Sequence, residues 1–318
     1  MFENLLDPVI IFFVMGIVAR LLKVSLSIPE VIYETIAVYL LLAIGLKGGY
    51  ELSQIQDFNF LKPTIGAMLV GIMIPFLTFK IAKRFKFFTR EDAISLAAHY
   101  GAASAVTFAV VLNFFDDLNL GHENFFTLFL VIIEVTGILT AFSFLHLKEG
   151  KFSEVLQKII HDVLLSKSIF LMLMGILIGW ISSVKGFGHV KILFIDLFKG
   201  ALCFFMLEMG LICGKQINKI KGNRTFVLVF GLIMPILSAT LAIVIATFTG
   251  FTLVGATILA TIAASASYIA APAVTRSILP QANLAIPLAC SLGVTFPFNV
   301  IFGIPLYYQM SKLIFSVL

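Results

Sequence analysis

Apolar runs of about twenty residues, parted by short polar connections, recur along the whole chain. A run of roughly 18 residues with few charges is long enough to cross a membrane as a helix. The pattern places ten spans, at roughly 5–24, 31–50, 62–82, 92–113, 124–147, 167–184, 191–214, 225–248, 252–276 and 285–315. One long polar connection interrupts the series, KEGKFSEVLQKIIHDVLLSK over 148–167. There Phe152, Val155, Leu156, Ile159, Ile160 and Val163 recur at helical spacing opposite charges of both signs. This predicts an amphipathic helix on the inner membrane surface, which also offers a docking face for a cytoplasmic regulator. The first apolar run follows Glu3 and Asp7 rather than a basic start, so it reads as a span and not as a secretory leader.

Composition agrees with the pattern. The chain is 60% hydrophobic and 12% charged with mean hydropathy +1.08, whereas a soluble domain carries about 25% charged residues. Cys203, Cys213 and Cys290 lie in apolar segments without paired spacing and read as buried small hydrophobes. The five His are scattered and form no metal pattern. A formal charge of +5 does not imply nucleic acid here, because the placement of basic residues matters more than their sum. The odd-numbered connections hold 16 of the 22 Lys and Arg, which sets those connections in the cytoplasm and both termini outside.

The halves resemble each other. LLAIGLKGG (41–49) matches MLEMGLICG (206–214), GIMIP (71–75) matches GLIMP (231–235), and MGIVARL (15–21) matches MGILIGW (174–180). YGAASAVT (100–107) matches YIAAPAVT (268–275), and the four offsets are 165, 160, 159 and 168. A unit of five spans, repeated, must enter the membrane with opposite polarity the second time, which is a transporter signature. The expected organisation is therefore a first five-helix repeat over 1–147, a linker over 148–166, and a second, inverted repeat over 167–318. The fold class is an all-α polytopic membrane protein of ten helices.

The stretch SASYIAAPAV (265–274) lacks Leu where lipid-facing residues belong, and it mirrors HYGAASAV in the other half. Small residues suit close helix packing. They equally suit broken helices, whose freed backbone is tolerated only inside protein or beside a wet cavity. Gly101 and Pro272 are the candidate breaking residues. Spans 4 and 9 would then cross as paired half-helices, with N-terminal ends facing an anion. Ser104, Thr107, Ser265 and Ser267 supply hydroxyls, with Tyr268 and Ala271 beside them, and neither span carries Lys or Arg at its centre. Dipoles and hydroxyls suit a small, weakly charged anion. Glu134 and Glu208 are intramembrane acids and hence functional candidates. Glu134 is read either as a cation or proton group or as a structural hydrogen bond. Glu208 lies nearer the inner water. His99 reads as a satisfied core residue more readily than a relay, and Lys47 as a snorkelling residue.

At these residues the chain resembles the sodium-dependent bicarbonate transporter family. The resemblance is carried by SIPEVIYETIAVYLLLAIGLKGG (27–49), GAASAVT (101–107), IAASASYIAAP (262–272), ILPQANLAI (278–286) and IPLYY (304–308). It implies ten helices in two inverted repeats, a core with crossed broken helices, a gate part, a homotrimer in the bacterial plasma membrane, and bicarbonate and sodium bound at the breaks. On matching positions Ser104, Thr107, Ser265 and Ser267 are site hydroxyls, and Gly101 and Ser267 join Ser104 as ion-coupling candidates. A PII-like cytoplasmic regulator is a further implied partner. The family motifs carry a Ser where this chain has Val106, and an Asp where it has Tyr268. Tyr cannot replace that charge at neutral pH, so sodium coupling falls to Glu134 or to backbone carbonyls. The readings that follow are sodium-coupled uptake of bicarbonate or a related small anion, a proton-coupled or uncoupled permease for another small anion such as a short carboxylate, and a transporter-like sensor. No nucleophile motif supports an enzyme, and no cofactor beyond a coupling Na+ is expected.

Overall fold

The computed structural model describes residues 6–55, 60–145, 152–219 and 224–317. Lys148, Lys151 and Lys221, counted above among the cytoplasmic basic residues, lie outside these, as does the start of the polar connection. Every element among the described residues is helical. In order these are α1 (Pro8–Leu21), α2 (Glu30–Ser53), α3 (Leu61–Ala82), α4 (Arg90–Gly101), α5 (Ala105–Asp117), α6 (Phe126–Ser143), α7 (Phe152–Leu164) and α8 (Lys167–Ile181). They continue with α9 (Ser183–Lys191), α10 (Phe198–Lys219), α11 (Arg224–Thr249), α12 (Leu253–Ala263), α13 (Ala270–Ile278), α14 (Ala285–Cys290), α15 (Phe296–Phe298) and α16 (Ile304–Val317). Wider π-turns join α9 to α10 and carry the chain from α14 to α16.

By length and composition six stretches can cross a membrane, 30–53, 61–82, 90–117, 126–143, 224–249 and 285–317, or seven if the bent pair α7–α8 counts as one. α1 and α12 are apolar but shorter, and α10 carries Lys199, Glu208 and Lys215. The outer surface settles the solvent. On α3 the side chains of Leu61, Ile65, Met68, Leu69, Ile72, Met73 and Phe76 are exposed, and on α11 those of Leu228, Val229, Leu232, Ile233 and Leu237. Each set recurs at three- and four-residue spacing, so each is one continuous apolar stripe. Water does not tolerate such stripes on a monomer, and lipid does.

The helices pack in two groups. In the smaller, α2 lies against α8, α1 against α10, and α10 against α2. In the larger, α3 packs on α4, α6 and α11, and α12 packs on α11, α16 and α5. α7 rests on α6, α8 and α13, burying Ile159 and Val163. Its polar side is tied to the end of α13, where Ser277 donates to Asp162 at 2.6 Å and Lys158 donates to the Ser277 carbonyl at 3.1 Å. Partial burial works against the Asp162 carboxylate, but the Ser277 bond and the neighbouring His161 and Lys158 outweigh it and hold its pKa below the usual value.

Glycines set the crossings of the smaller group. A Cβ on Gly16 of α1 would stand 2.9 Å from the Gly210 Cα of α10, and a Cβ on Gly45 of α2 would stand 3.0 Å from the Gly175 Cα of α8. Without hydrocarbon-to-water transfer to drive association, such backbone-to-backbone contact is what holds helices together in lipid. Gly45→Val is therefore expected to destabilise the protein by about 1–3 kcal/mol, the usual cost of overpacking. Gly200→Ala on α10, with open space around it, is expected to leave stability unchanged. Thermal unfolding of detergent-purified protein checks both, and an unshifted Gly45→Val midpoint would contradict the crossing.

Candidate functional site

Two interruptions face each other inside the larger group. α4 ends at Gly101, Ala102 and Ser104 are extended (φ −96°, ψ 140° and φ −103°, ψ 112°), and α5 starts at Ala105. α12 ends at Ala263 and α13 starts at Ala270. At each restart a serine oxygen takes one of the amides that a helix start leaves unpaired, Ser104 as the N-cap of α5 and Ser267 from two residues before Ile269, the cap position of α13. Ser104 Oγ accepts from the Thr107 amide at 3.3 Å, and Ser267 Oγ accepts from the Ala271 amide at 3.3 Å. Pro272 is the third residue of α13, where no intrahelical N–H bond is required. It sits downstream of the interruption at 264–269 and suits the start of a helix. Gly101 is the last residue of α4, where a Cβ would meet Pro75 at 2.9 Å.

The interrupted segments bond to each other. The Ser104 amide donates to Ser265 Oγ at 2.9 Å, and that hydroxyl donates to the Ile262 carbonyl at 2.6 Å. The Ser267 amide donates to the carbonyls of His99 at 2.8 Å and Ala102 at 3.0 Å. Asn299 Nδ2 donates to the Ala264 carbonyl at 2.9 Å and is itself fixed by Tyr307 at 2.6 Å. Nearby, Thr295 donates at 2.8 Å to the Gly231 carbonyl, the group that Pro235 cannot serve four residues on. Tyr100 bonds to the same Thr295 at 2.7 Å. Ser104, Ser265, Ser267, Thr295 and Asn299 are all buried.

A cavity of about 30 Å³ opens between this crossing and the smaller helix group. That is room for on the order of two water-sized groups. Ser104, Ser267, Tyr268, Glu134 of α6 and Ser168 of α8 give its polar lining, and Leu40, Leu41, Ile44 and Phe205 give part of its apolar wall. Val106 lines it too. Among the described residues that line it there is no Lys, Arg or His. Thr107, Ser265, Ala271 and Gly101 are not on its wall; they lie behind it, in the caps and bonds just described. Tyr268 Oη and Ser168 Oγ are buried and have no hydrogen-bond partner of normal geometry, although Ser104 lies beside the first and Glu134 beside the second.

The remaining candidates lie elsewhere. Glu208 is on α10 near the Ile28 amide and Tyr33. His99 is fully buried, its Nδ1 donating to the Ser95 carbonyl at 2.7 Å, with Nε2 unpartnered. Lys47 pairs with Asp116 at 3.9 Å and Glu51 at 4.0 Å. It lines a wider pocket of about 210 Å³ that shares Ile44 with the central cavity and also holds Asp117 and Lys199. Lys199 bridges Asp117 at 2.9 Å and Asp7 at 3.0 Å. Sequence reasoning passed over Ser168, Thr295 and Asn299. The latter two were visible as isolated polar residues in the apolar run SLGVTFPFNV.

A family model described as the Na+-dependent bicarbonate transporter superfamily matches residues 8–312. The chain belongs to that superfamily, so it is a multi-pass membrane protein of an ion-transporting family and not of an enzyme family. No curated protein matches the chain.

The crossing depends most on Ser265, which serves both segments. Ser265→Ala leaves the buried Ser104 amide without its acceptor, a loss worth about 1–3 kcal/mol. A lowered unfolding midpoint of the purified variant is expected, and Ser316→Ala, at an exposed site near the end of α16, is expected to be neutral. Equal midpoints for wild type and Ser265→Ala would mean that another group replaces the hydroxyl.

Proposed function

We propose that the chain is a secondary transporter that carries bicarbonate, or a small anion like it, into the cell together with sodium by alternating access. Ten spans in two inverted repeats, over 1–147 and 167–318, form the machine. Spans 4 and 9 are α4–α5 and α12–α13, and span 10 is α14–α16. The packing supports the repeat. Adding the offset of 159 to Gly16 gives Gly175, and adding 165 to Gly45 gives Gly210. The two glycine crossings thus exchange into each other. So do the helix pairs α3–α6 and α11–α16, α3–α4 and α11–α12, and α4–α6 and α12–α16. The two capping serines, 104 and 267, stand 163 apart, which is five fewer than the offset of YGAASAVT from YIAAPAVT. At this register the bond from the Ser104 amide to Ser265 answers the bond from the Ser267 amide to Ala102.

One observation carries the functional reading. The Glu134 carboxyl, buried to 3% exposure, shares its cavity with the capped N-termini of α5 and α13 and with no basic side chain. A buried carboxylate with a hydroxyl beside it and no positive charge is unstable in a medium of low dielectric. Helix N-termini attract anions. An anion entering beside a carboxylate brings a second negative charge, and a small cation entering with it offsets one of the two. Two hydroxyls and two helix ends, with no cationic side chain, match a monovalent anion of few atoms. Both termini outside, the bacterial plasma membrane and a homotrimer complete this reading.

Uptake of labelled bicarbonate by proteoliposomes, with and without an inward sodium gradient, tests it. Wild-type protein is expected to accumulate label only with the gradient. Val106→Phe, which fills the cavity, is expected to reduce the rate at least about tenfold, the effect of roughly 1.4 kcal/mol. Absence of uptake under both conditions, from protein that still binds bicarbonate, would remove the transport claim. Uptake indifferent to sodium would remove only the coupling.

A further inference from the structure

We infer that Ser168 is a ligand of the coupling cation, so that the cation site is completed across the two helix groups. The inference rests on the sodium-coupled reading above and gives it a specific location. Glu134 lies on α6, in the larger group, and Ser168 on α8, in the smaller. Both line the central cavity. Ser168 is buried to 4% exposure, and its Oγ meets no hydrogen-bond partner of normal geometry, although the Glu134 carboxyl is its neighbour. A buried hydroxyl without a partner is costly and calls for an unseen water or ion. A Ser near a helix start ordinarily caps it, and here the cap position belongs to Ser166, so that role does not explain Ser168.

The chemistry is that of a small hard cation. The cavity offers the carboxylate of Glu134, the hydroxyls of Ser168, Ser104 and Ser267, and the phenol of Tyr268, all oxygen atoms. Oxygen donors with a single negative charge suit sodium, and thiolate or imidazole, which select transition metals, are absent from the lining residues described. Tyr268 Oη is the second buried oxygen there without a partner.

The position gives the site a task. A cation bound by Glu134 alone stabilises every arrangement of the two groups equally and shifts none of them. One that also binds Ser168 favours the arrangement in which α8 and α6 are close. A ligand moves a conformational equilibrium only through such a difference in affinity. Ser168 would therefore convert sodium binding into closure of the site.

The test measures the unfolding midpoint of purified full-length protein against NaCl, with choline chloride at equal ionic strength as reference, and separately against bicarbonate. Wild type is expected to be stabilised by sodium beyond choline. Glu134→Gln is expected to lose that response, and Ser168→Ala to raise the half-saturating sodium concentration about tenfold, the equivalent of 1.4 kcal/mol. Ser168→Thr keeps the hydroxyl and is expected to restore it. A single cooperative unfolding transition and an unchanged elution volume on size exclusion show that each variant is folded. Wild type and Ser168→Ala with the same sodium curve would overturn the inference, and so would a wild-type response to pH but not to sodium. Neither outcome touches bicarbonate transport, which the vesicle assay decides on its own.

Discussion

The structure depends on a rule of the hydrocarbon: backbone polar groups that leave a helix must find partners inside the protein. Two neighbouring interruptions satisfy that rule only because each serves the other. The Ser104 amide goes to Ser265, and the Ser267 amide to Ala102 and His99. Asn299 takes the Ala264 carbonyl, and Thr295 takes the carbonyl that Pro235 frees. Neither interruption is affordable without its counterpart. This mutual dependence fixes where the cavity lies, beside the unwound backbone of the crossing.

The same rule divides what can move from what cannot. The larger group is cross-bonded through the interruptions. The smaller packs through glycine contacts along α1–α10 and α2–α8, with Lys167 of α8 donating to Glu34 of α2 at 3.3 Å. At the mouth of the wider pocket the groups meet through Lys47–Asp116 and Lys199–Asp117. The side chains of these pairs are 32% to 59% exposed, and exposed pairs contribute about 0.2–1 kcal/mol each. The ion pairs thus add little to the hold at the boundary between the groups. In the proposed transport cycle, movement runs along that boundary.

Much of this was legible in the chain. Segment positions follow in part from hydropathy: most described helices overlap an expected span, six stretches are long and apolar enough to cross a membrane, and α7 lies on the amphipathic connection. Ser104, Ser265 and Ser267 were legible as hydroxyls of the crossing, but the backbone amides that they serve were not. Pro272 was less so. Proline both ends and begins helices, and only the backbone shows that here it sits in a first turn. The fourth repeat match has an offset of 168, whereas Ser104 and Ser267 stand 163 apart, and Ala-rich segments align well at several shifts. Ser168 and the apolar wall of Leu40, Leu41, Ile44 and Phe205 were not legible. Their place depends on how the two helix groups meet, which no local pattern encodes.

The cavity's polarity explains why this arrangement suits exchange of ions over tight retention. A site that neutralised an anion with Arg or Lys would hold it by charge-assisted hydrogen bonds, roughly twice as strong as neutral ones. Here the lining offers hydroxyls and helix ends, and its single ionisable carboxyl carries the same sign as the proposed substrate. On the proposed reading the anion is held well only while the cation is present, and the cation only while the carboxylate is ionised. Each partner's affinity is conditional on the other, and thermodynamic linkage makes that dependence reciprocal. Weak binding of either alone with strong binding of both is what a symporter requires, since it must not cycle half-loaded. A lysine at Val106 or Tyr268 would remove the condition: it would bind the anion without sodium and turn a coupled carrier into a trap.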